Sequence, residues 1–222
     1  MSQAQLRRVL QPVAQESTAS MVADSVREAI AVGDIPPGAQ LTEIELAAQL
    51  GVSRGPLREG LQRLTQEGLL LAIRNRGLFV IEMTPDRVRD MYIARQAVER
   101  AAAEQVHVLD PVGSGARLLA VIDEMRERGA AGDESGVADV DREFHEVLVE
   151  LSQSPRLAQM HGTLLTETRM CLNALKATYG SHEARIEEHR AIAQSFVDRK
   201  PRLTDKLLVA HMHDALKRLR AD

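Results

Sequence analysis

The chain has 222 residues, which is long for one domain and sufficient for two small ones. Its 44% hydrophobic and 27% charged residues are typical of a soluble globular protein, and its formal net charge of −4 argues against a broadly basic nucleic-acid-binding surface. Because aromatic residues make up only 2%, the core must consist of aliphatic side chains and methionine, which suits packed helices.

The chain carries features expected of a cytoplasmic protein. Cys171 is its single cysteine, so an intrachain disulfide is excluded and a reducing compartment is favoured. We expect no membrane span, because no apolar run is long enough, and no signal peptide, because the N-terminus is polar and rich in Gln. Residues 1–16 show no pattern and are expected to form a flexible N-terminal arm.

Three short helices are predicted next, each preceded by Ser or Thr and ended by Gly. They lie between Ser17 or Thr18 and Gly33, between Thr42 and Gly51, and between Ser53 and Gly68. Thr42 and Glu45 have the spacing of a capping box. The apolar runs 69–73 and 78–81 then predict two strands around a hairpin tip at 74–77. This order predicts a winged helix-turn-helix DNA-binding domain over residues 17–83.

The third predicted helix has a positively charged N-terminal end. Arg54 and Arg58 are four residues apart and project from one face, and Gly55 allows close backbone approach. A helix N-terminus favours phosphate, and an arginine can bridge guanine O6 and N7. Together with the hairpin tip, which suits the minor groove or the backbone, the candidate DNA-contacting residues are Ser53, Arg54, Gly55, Arg58, Arg74, Asn75 and Arg76.

The local charge restricts how such a domain can bind DNA. Up to Glu82 the chain has eight arginines, no lysine and nine acidic residues. A diffuse basic surface is therefore excluded, and binding must depend on a few arginines that a homodimer presents twice on a palindromic operator.

The first part of the chain closely resembles the DNA-binding domain of the GntR family. The resemblance is carried by the segments 33–41, 50–59, 67–69 and 75–77. It implies that Arg54, Arg58 and the wing-tip Gly77 contact DNA. Ile44 departs from a fatty-acid-responsive member, which has a DNA-contacting arginine there, so we expect a different operator. Gly60 also departs from the family pattern and is expected to weaken its helix slightly.

The remainder of the chain, residues 84–222, is predicted to be all-helical. Apolar residues at helical spacing, interrupted by Gly and Pro, predict six helices near 84–107, 113–131, 133–153, 154–179, 181–200 and 202–221. The expected fold is therefore mainly α, with a winged helix-turn-helix followed by a helical-bundle domain for ligand binding and dimerisation.

This helical part holds a candidate metal site. Asp141 and His145 are four residues apart on one helix, and His189 and His211 lie on two others. One carboxylate and three imidazoles suit a divalent transition metal such as Zn²⁺, Ni²⁺ or Mn²⁺. A six-coordinate ion would keep two open positions for a small ligand with a carboxylate. The histidines expected to be ordinary are His107, His161, His182 and His213.

The helical part resembles the FCD effector domain of the FadR branch of GntR regulators, in its metal-binding form. The resemblance rests on Arg95-x-x-x-Glu99, Asp141-x-x-Phe144-His145, Glu188-His189-x-x-Ile192 and His211. It implies that Arg95 meets the carboxylate of an effector, although an ion pair with Glu99 is an equal alternative. Arg142 and Arg169 are weaker candidate ligand-binding residues, and Asn173, four residues beyond Arg169, is a candidate for an additional polar contact.

Three functions fit these patterns. The favoured one is a regulator of a metabolic operon that is not an enzyme, a repressor released by a small organic acid bound next to the metal. A metal-dependent enzyme is the second, because open metal positions can activate water, but no additional general base is evident. The third is a dimeric DNA-binding protein with an inert helical half.

Overall fold

A computed structural model describes residues 17–174 and 182–218, without the side chains of residues 134, 135, 173, 174 and 182. The predicted arm at 1–16 lies outside the described residues. So do the last residues of the helices predicted over 154–179 and 202–221.

The N-terminal domain consists of three helices and a small antiparallel sheet. The helices are α1 (Thr18–Val32), α2 (Glu43–Leu50) and α3 (Arg54–Gln66), and the strands are β1 (Gln40–Leu41), β2 (Leu70–Ile73) and β3 (Gly77–Val80). The strand order is β1-β3-β2, with Gln40 opposite Phe79. Sequence analysis predicted only the β2–β3 hairpin, because a strand of two residues is too short to show alternation.

The ends of these helices agree with the glycine signals better than with the capping signals. The Ser17 hydroxyl accepts a hydrogen bond from the Ser20 N–H at 3.1 Å, so Ser17 is the N-cap of α1. Thr42 precedes α2 in extended conformation, but within the described residues its side chain makes no capping hydrogen bond. The capping box predicted with Glu45 is therefore not formed. Gly33 follows α1 with φ 88°, a left-handed conformation that glycine adopts without strain.

Helix α1 packs directly on the backbone of α3 at Gly60. A Cβ atom there would lie 2.8 Å from both the carbonyl oxygen of Ala19 and Cγ1 of Val22. Gly60 is thus required by the close approach of the two helices, which the expected loss of helix propensity did not reveal. Beside it, the domain core is formed by side chains that are completely buried, among them Ile30, Leu57, Leu64 and Leu69.

The C-terminal domain is a bundle of six helices in the described part of the chain. They are α4 (Pro85–Leu109), α5 (Pro111–Ala130), α6 (Glu134–Glu150), α7 (Pro155–Ala174), α8 (His182–Val197) and α9 (Pro201–Arg218). Phe144, Phe196 and Leu118 are fully buried in its core. The predicted mainly α fold is confirmed. Among the described residues, none of the helices combines the length and hydropathy needed to span a membrane.

The two domains contact each other through α1 and α7. Met170 of α7 is 1% exposed and belongs to the hydrophobic core of the winged-helix domain. Next to it, Nη1 of Arg169 donates to Glu28 Oε1 of α1 at 2.8 Å. The C-terminal bundle and the N-terminal domain therefore share both an apolar contact and an ion pair.

Candidate metal centre and DNA-binding surface

The predicted recognition residues lie together at the exposed N-terminal end of α3. Ser53 immediately precedes this helix and Arg54 is its first residue. A Cβ atom on Gly55 would meet nothing within 4 Å, so the surface is open there. The Arg58 side chain is 65% exposed, and its Nε lies 2.7 Å from Glu43 Oε2 of α2. Glu43 therefore positions the Arg58 guanidinium, which is predicted to contact DNA.

The predicted wing is an exposed turn with two left-handed residues. Asn75 has φ 62° and Gly77 has φ 105°, conformations that these residue types tolerate. Nε2 of Gln40 in β1 donates to the carbonyl oxygen of Arg76 at 2.7 Å. The missed strand β1 thus holds the base of the wing, and Arg74, Asn75 and Arg76 all remain exposed. Ile44 on α2 is also exposed, by 67%.

Three imidazoles converge in the core of the helical bundle. His145 of α6, His189 of α8 and His211 of α9 are buried, and one ring nitrogen of each lies within 4.8 Å of the others. Nε2 of His145 is 3.3 Å from Nε2 of His189 and 3.2 Å from Nε2 of His211. Two nitrogens held by one ion at about 2.0–2.1 Å would be about 3.0–3.4 Å apart. The spacing therefore fits a shared ion.

The other nitrogen of each ring has an acceptor of its own. Nδ1 of His145 donates to Glu99 Oε2 at 2.8 Å and Nδ1 of His189 donates to the Arg185 carbonyl at 2.8 Å. Nδ1 of His211 donates to Glu188 Oε2 at 3.1 Å. Because the proton of a neutral ring then resides on Nδ1, each Nε2 presents a bare lone pair to the others. Such outward hydrogen bonds to carboxylates and carbonyls are typical of metal-binding histidines.

The charges of the site also suit a cation. Burial lowers the pKa of His145 to about 4 and that of His189 to about 3, so both rings are neutral at pH 7. Burial acts to raise the pKa of Asp141, but His189 and the Arg185 guanidinium lower it to about 2. The site thus combines neutral nitrogen donors with an anionic oxygen donor.

Asp141 lies at the side of this cluster that faces a cavity. Its Oδ1 is 3.4 Å from Nε2 of His189, and its side chain is 22% exposed. Asp141 is therefore close to one of the three imidazoles, His189, while the mutually close set of ring nitrogens consists of His145, His189 and His211. Metal binding itself stays a prediction.

A buried carboxylate connects the imidazoles with Arg95. Glu99 is fully buried and accepts hydrogen bonds from Arg95 Nε at 2.7 Å, from His145 and from His161 Nε2 at 3.0 Å. Burial acts to raise the pKa of Glu99, but His145 and Arg95 hold it well below its usual range. His161, expected to be ordinary, is thus part of the network around the site.

Two carboxylates within the quoted motifs orient the imidazoles, a role that was not predicted. Glu99 stands four residues after Arg95, and Glu188 precedes His189. Both accept the Nδ1 proton of a predicted metal ligand, His145 for the first and His211 for the second. Glu188 beside His189 was an available signal, but the sequence showed neither that Glu188 contacts His211 nor that Glu99 contacts His145.

A cavity of about 350 Å³ opens beside Asp141. Three arginines line it, namely Arg95, Arg142 and Arg169. Within the described part of the chain, Nε of Arg142 is buried without a hydrogen-bond partner. Arg95 forms the ion pair with Glu99 and also lines the cavity, so its contact with an effector stays a prediction. Asn173 belongs to α7, but its side chain lies outside the described residues.

Comparison with known proteins assigns both domains. Residues 18–80 match the model of bacterial regulatory proteins of the gntR family, and residues 90–214 match the FCD domain. The Nta operon transcriptional regulator of Aminobacter aminovorans is 32% identical over 79% of this chain and 82% of its own length. A D-xylose utilization operon transcriptional repressor of Paenarthrobacter nicotinovorans is 28% identical over 88% of this chain and 86% of its own length.

Solved structures agree with this assignment. The crystal structure of a GntR transcriptional regulator from Rhodococcus sp. RHA1 is similar with a TM-score of 0.74 and 29% identity. The alignment covers 92% of this chain and 98% of the Rhodococcus one. The similarity therefore extends over both domains and their arrangement along the chain.

Proposed function

Because the chain belongs to the gntR family of bacterial regulatory proteins and carries an FCD domain, it is a transcriptional regulator and not an enzyme, and we propose how it is controlled. It is a repressor of a metabolic operon, released from DNA when a small organic acid binds beside a divalent metal ion. The observation that carries the proposal is the set of three buried, mutually close imidazole nitrogens next to an arginine-lined cavity. Relatives named for the Nta and D-xylose operons support the metabolic role.

The donor set supports a resident Zn²⁺, Ni²⁺ or Mn²⁺ held by Asp141, His145, His189 and His211. Such an ion, when bound, supplies positive charge and open positions for a carboxylate oxygen. Without it, three bare lone pairs would face each other in the core, which is electrostatically unfavourable. Glu99 and Glu188 orient the rings through their Nδ1 protons.

The lining of the cavity supports an anionic effector. Guanidinium groups bind carboxylates with two parallel hydrogen bonds. Three guanidinium groups line this cavity together with Asp141. Arg142 adds a buried Nε that lacks a partner in the described part of the chain. A small acid could thus use one carboxylate toward the metal and its remaining anionic groups toward the arginines.

The winged helix supports recognition of double-stranded DNA. In a homodimer, the two α3 helices would enter major grooves about one turn apart on a palindromic operator. Arg54 and Arg58 would contact bases or phosphates there, while Arg74 and Arg76 of the wing would contact the minor groove or the backbone. Effector binding changes DNA affinity if the acid binds one dimer geometry more tightly than the other.

Metal content and acid binding test this proposal. Purified wild-type protein should contain close to one metal per chain, and His189→Ala should lose it. His107→Ala is the matched control, because His107 pairs with Thr204 away from the cluster. Full metal content in His189→Ala would contradict the site. Wild-type protein with metal that binds DNA but is unaffected by succinate, citrate or other small acids would favour the ligand-independent alternative.

A further inference from the structure

The wall of the cavity includes part of the DNA-binding domain. Arg169 of α7 lines the cavity, and its Nη1 lies 2.8 Å from Oε1 and 3.0 Å from Oε2 of Glu28. Glu28 belongs to α1 of the winged helix. Val32, one turn later in the same helix, also lines the cavity. Whatever enters the cavity therefore meets both domains.

The Arg169–Glu28 pair is suited to exchange. The Glu28 side chain is 62% exposed and that of Arg169 is 27% exposed, so water screens the pair and its net contribution is small. In contrast, Arg95 and Glu99 are both buried, and Nε of Arg95 lies 2.7 Å from Oε1 of Glu99. An anion inside the cavity would be less exposed to water than Glu28 is, and it would compete with Glu28 for the same guanidinium.

We infer that Arg169 transmits the state of the cavity to the DNA-binding domain: an anionic effector withdraws its guanidinium from Glu28 and loosens the contact between α1 and α7. This inference rests on the proposed function, because it needs an anion in the cavity. The apolar half of the contact, Met170 in the winged-helix core, keeps the domains attached while the ionic half is exchanged. The ligand changes the orientation or mobility of the recognition helix without touching it.

Competition has a consequence that a simple structural role for Glu28 lacks. If Glu28 and the anion compete for Arg169, removal of the Glu28 charge must strengthen anion binding. By linkage, removal of the Glu28 charge must also weaken the effect of the anion on the DNA-binding domain. Glu28→Gln should therefore bind the anion more tightly by roughly two- to fivefold, the range measured for exposed ion pairs. A variant that merely disturbed the fold would bind it less well.

The experiment uses full-length protein loaded with Zn²⁺ and titrated calorimetrically with succinate and, separately, with citrate. Glu45→Gln is the matched control, since it removes one negative charge from an exposed position of the same domain that does not line the cavity. We expect tighter binding in Glu28→Gln and unchanged binding in Glu45→Gln. Equal affinities in wild type and Glu28→Gln, or an equal gain in both variants, would overturn the inference. Absence of binding to wild-type protein would instead overturn the proposed function.

Hydrogen exchange provides the second measurement. Saturating succinate should accelerate amide exchange in the C-terminal half of α1 in wild-type protein. In Glu28→Gln these amides should already exchange at the faster rate and should respond little. On a DNA duplex selected from a random pool, the ratio of affinities without and with succinate should fall toward one in this variant. A wild-type response in Glu28→Gln in both measurements would contradict the assignment of Arg169.

Discussion

Glu99→Gln is the substitution that tests the buried network most directly. Gln keeps the volume of the side chain but removes the charge that pairs with Arg95, and Arg95 is only 4% exposed. Removing one partner of a buried ion pair costs about 3–5 kcal/mol of folding free energy, because the other charge is left uncompensated. The amide must also satisfy His145 and His161, which both now hydrogen-bond to the same carboxylate.

The second expected effect of Glu99→Gln is on the metal. Glu99 accepts the Nδ1 proton of His145 and thereby fixes the tautomer that leaves Nε2 bare. Loss of such an outer partner weakens metal affinity roughly 10–100-fold. Glu188→Gln is the matched control, because Glu188 makes the same contact to His211 but its side chain is 31% exposed. We expect Glu188→Gln to lower the affinity for the metal and to leave the free energy of unfolding nearly unchanged.

Two assays separate these effects. Urea unfolding of the metal-free protein, followed by circular dichroism, gives the loss of stability in both variants. Competition with a chromophoric chelator gives zinc affinity. The reasoning is refuted if the free energy of unfolding of Glu99→Gln lies within about 1 kcal/mol of the wild-type value, which is less than the loss expected for a broken buried ion pair, and if the variant also keeps its zinc affinity.

Three further predictions concern other parts of the chain. Arg58→Ala should weaken binding to selected DNA by about 1–3 kcal/mol in a mobility-shift assay, and unchanged affinity would contradict its place in recognition. Gly60→Ala should destabilise the protein by about 1–3 kcal/mol through overpacking against α1, whereas Gly55→Ala at an open position should be neutral or slightly stabilising; equal melting temperatures would argue against the close approach. Burial lowers the pKa of His145 to about 4 and that of His189 to about 3, below the value of 6.5 in the unfolded chain, so unfolding takes up protons. The melting temperature of metal-free protein should therefore fall as the pH is lowered from about 7 to about 5. A constant melting temperature over this range would contradict the burial of two neutral imidazoles.

The fold could be predicted far into its details because its signals are local. Helix boundaries followed from Gly and Pro, and the wing followed from two apolar runs around 74–77. The short strand β1 was missed, because its pairing with β3 depends on a partner that lies 37 to 39 residues along the chain. Gly60 was interpreted as a weakness of α3 for the same reason: the contact with Ala19 that requires it is formed only in three dimensions.

The candidate site was predicted as a set of ligands but not as a network. Spacing alone placed Asp141 and His145 on one face of a helix. It could not assign the Nδ1 partners of His145 and His211, since these depend on how four helices cross. Arg169 was named for the cavity, which the structure supports, while its pairing with Glu28 joins positions 141 residues apart and has no signature in the sequence.

The two networks around the cavity differ in what they can do. Arg95, Glu99 and His145 form a buried ion pair extended by a hydrogen bond to a neutral imidazole, and this rigid chain ties the cavity to the imidazole cluster. Arg169 and Glu28 form an exposed pair, so its partners can be exchanged at low cost. A regulator needs both properties, because ligand affinity depends on a preorganised pocket whereas signalling depends on a contact whose alternatives are nearly equal in free energy. In the mechanism we propose, the burial of Glu99 places selection of the effector in the first network, and the exposure of Glu28 places transmission of the signal in the second.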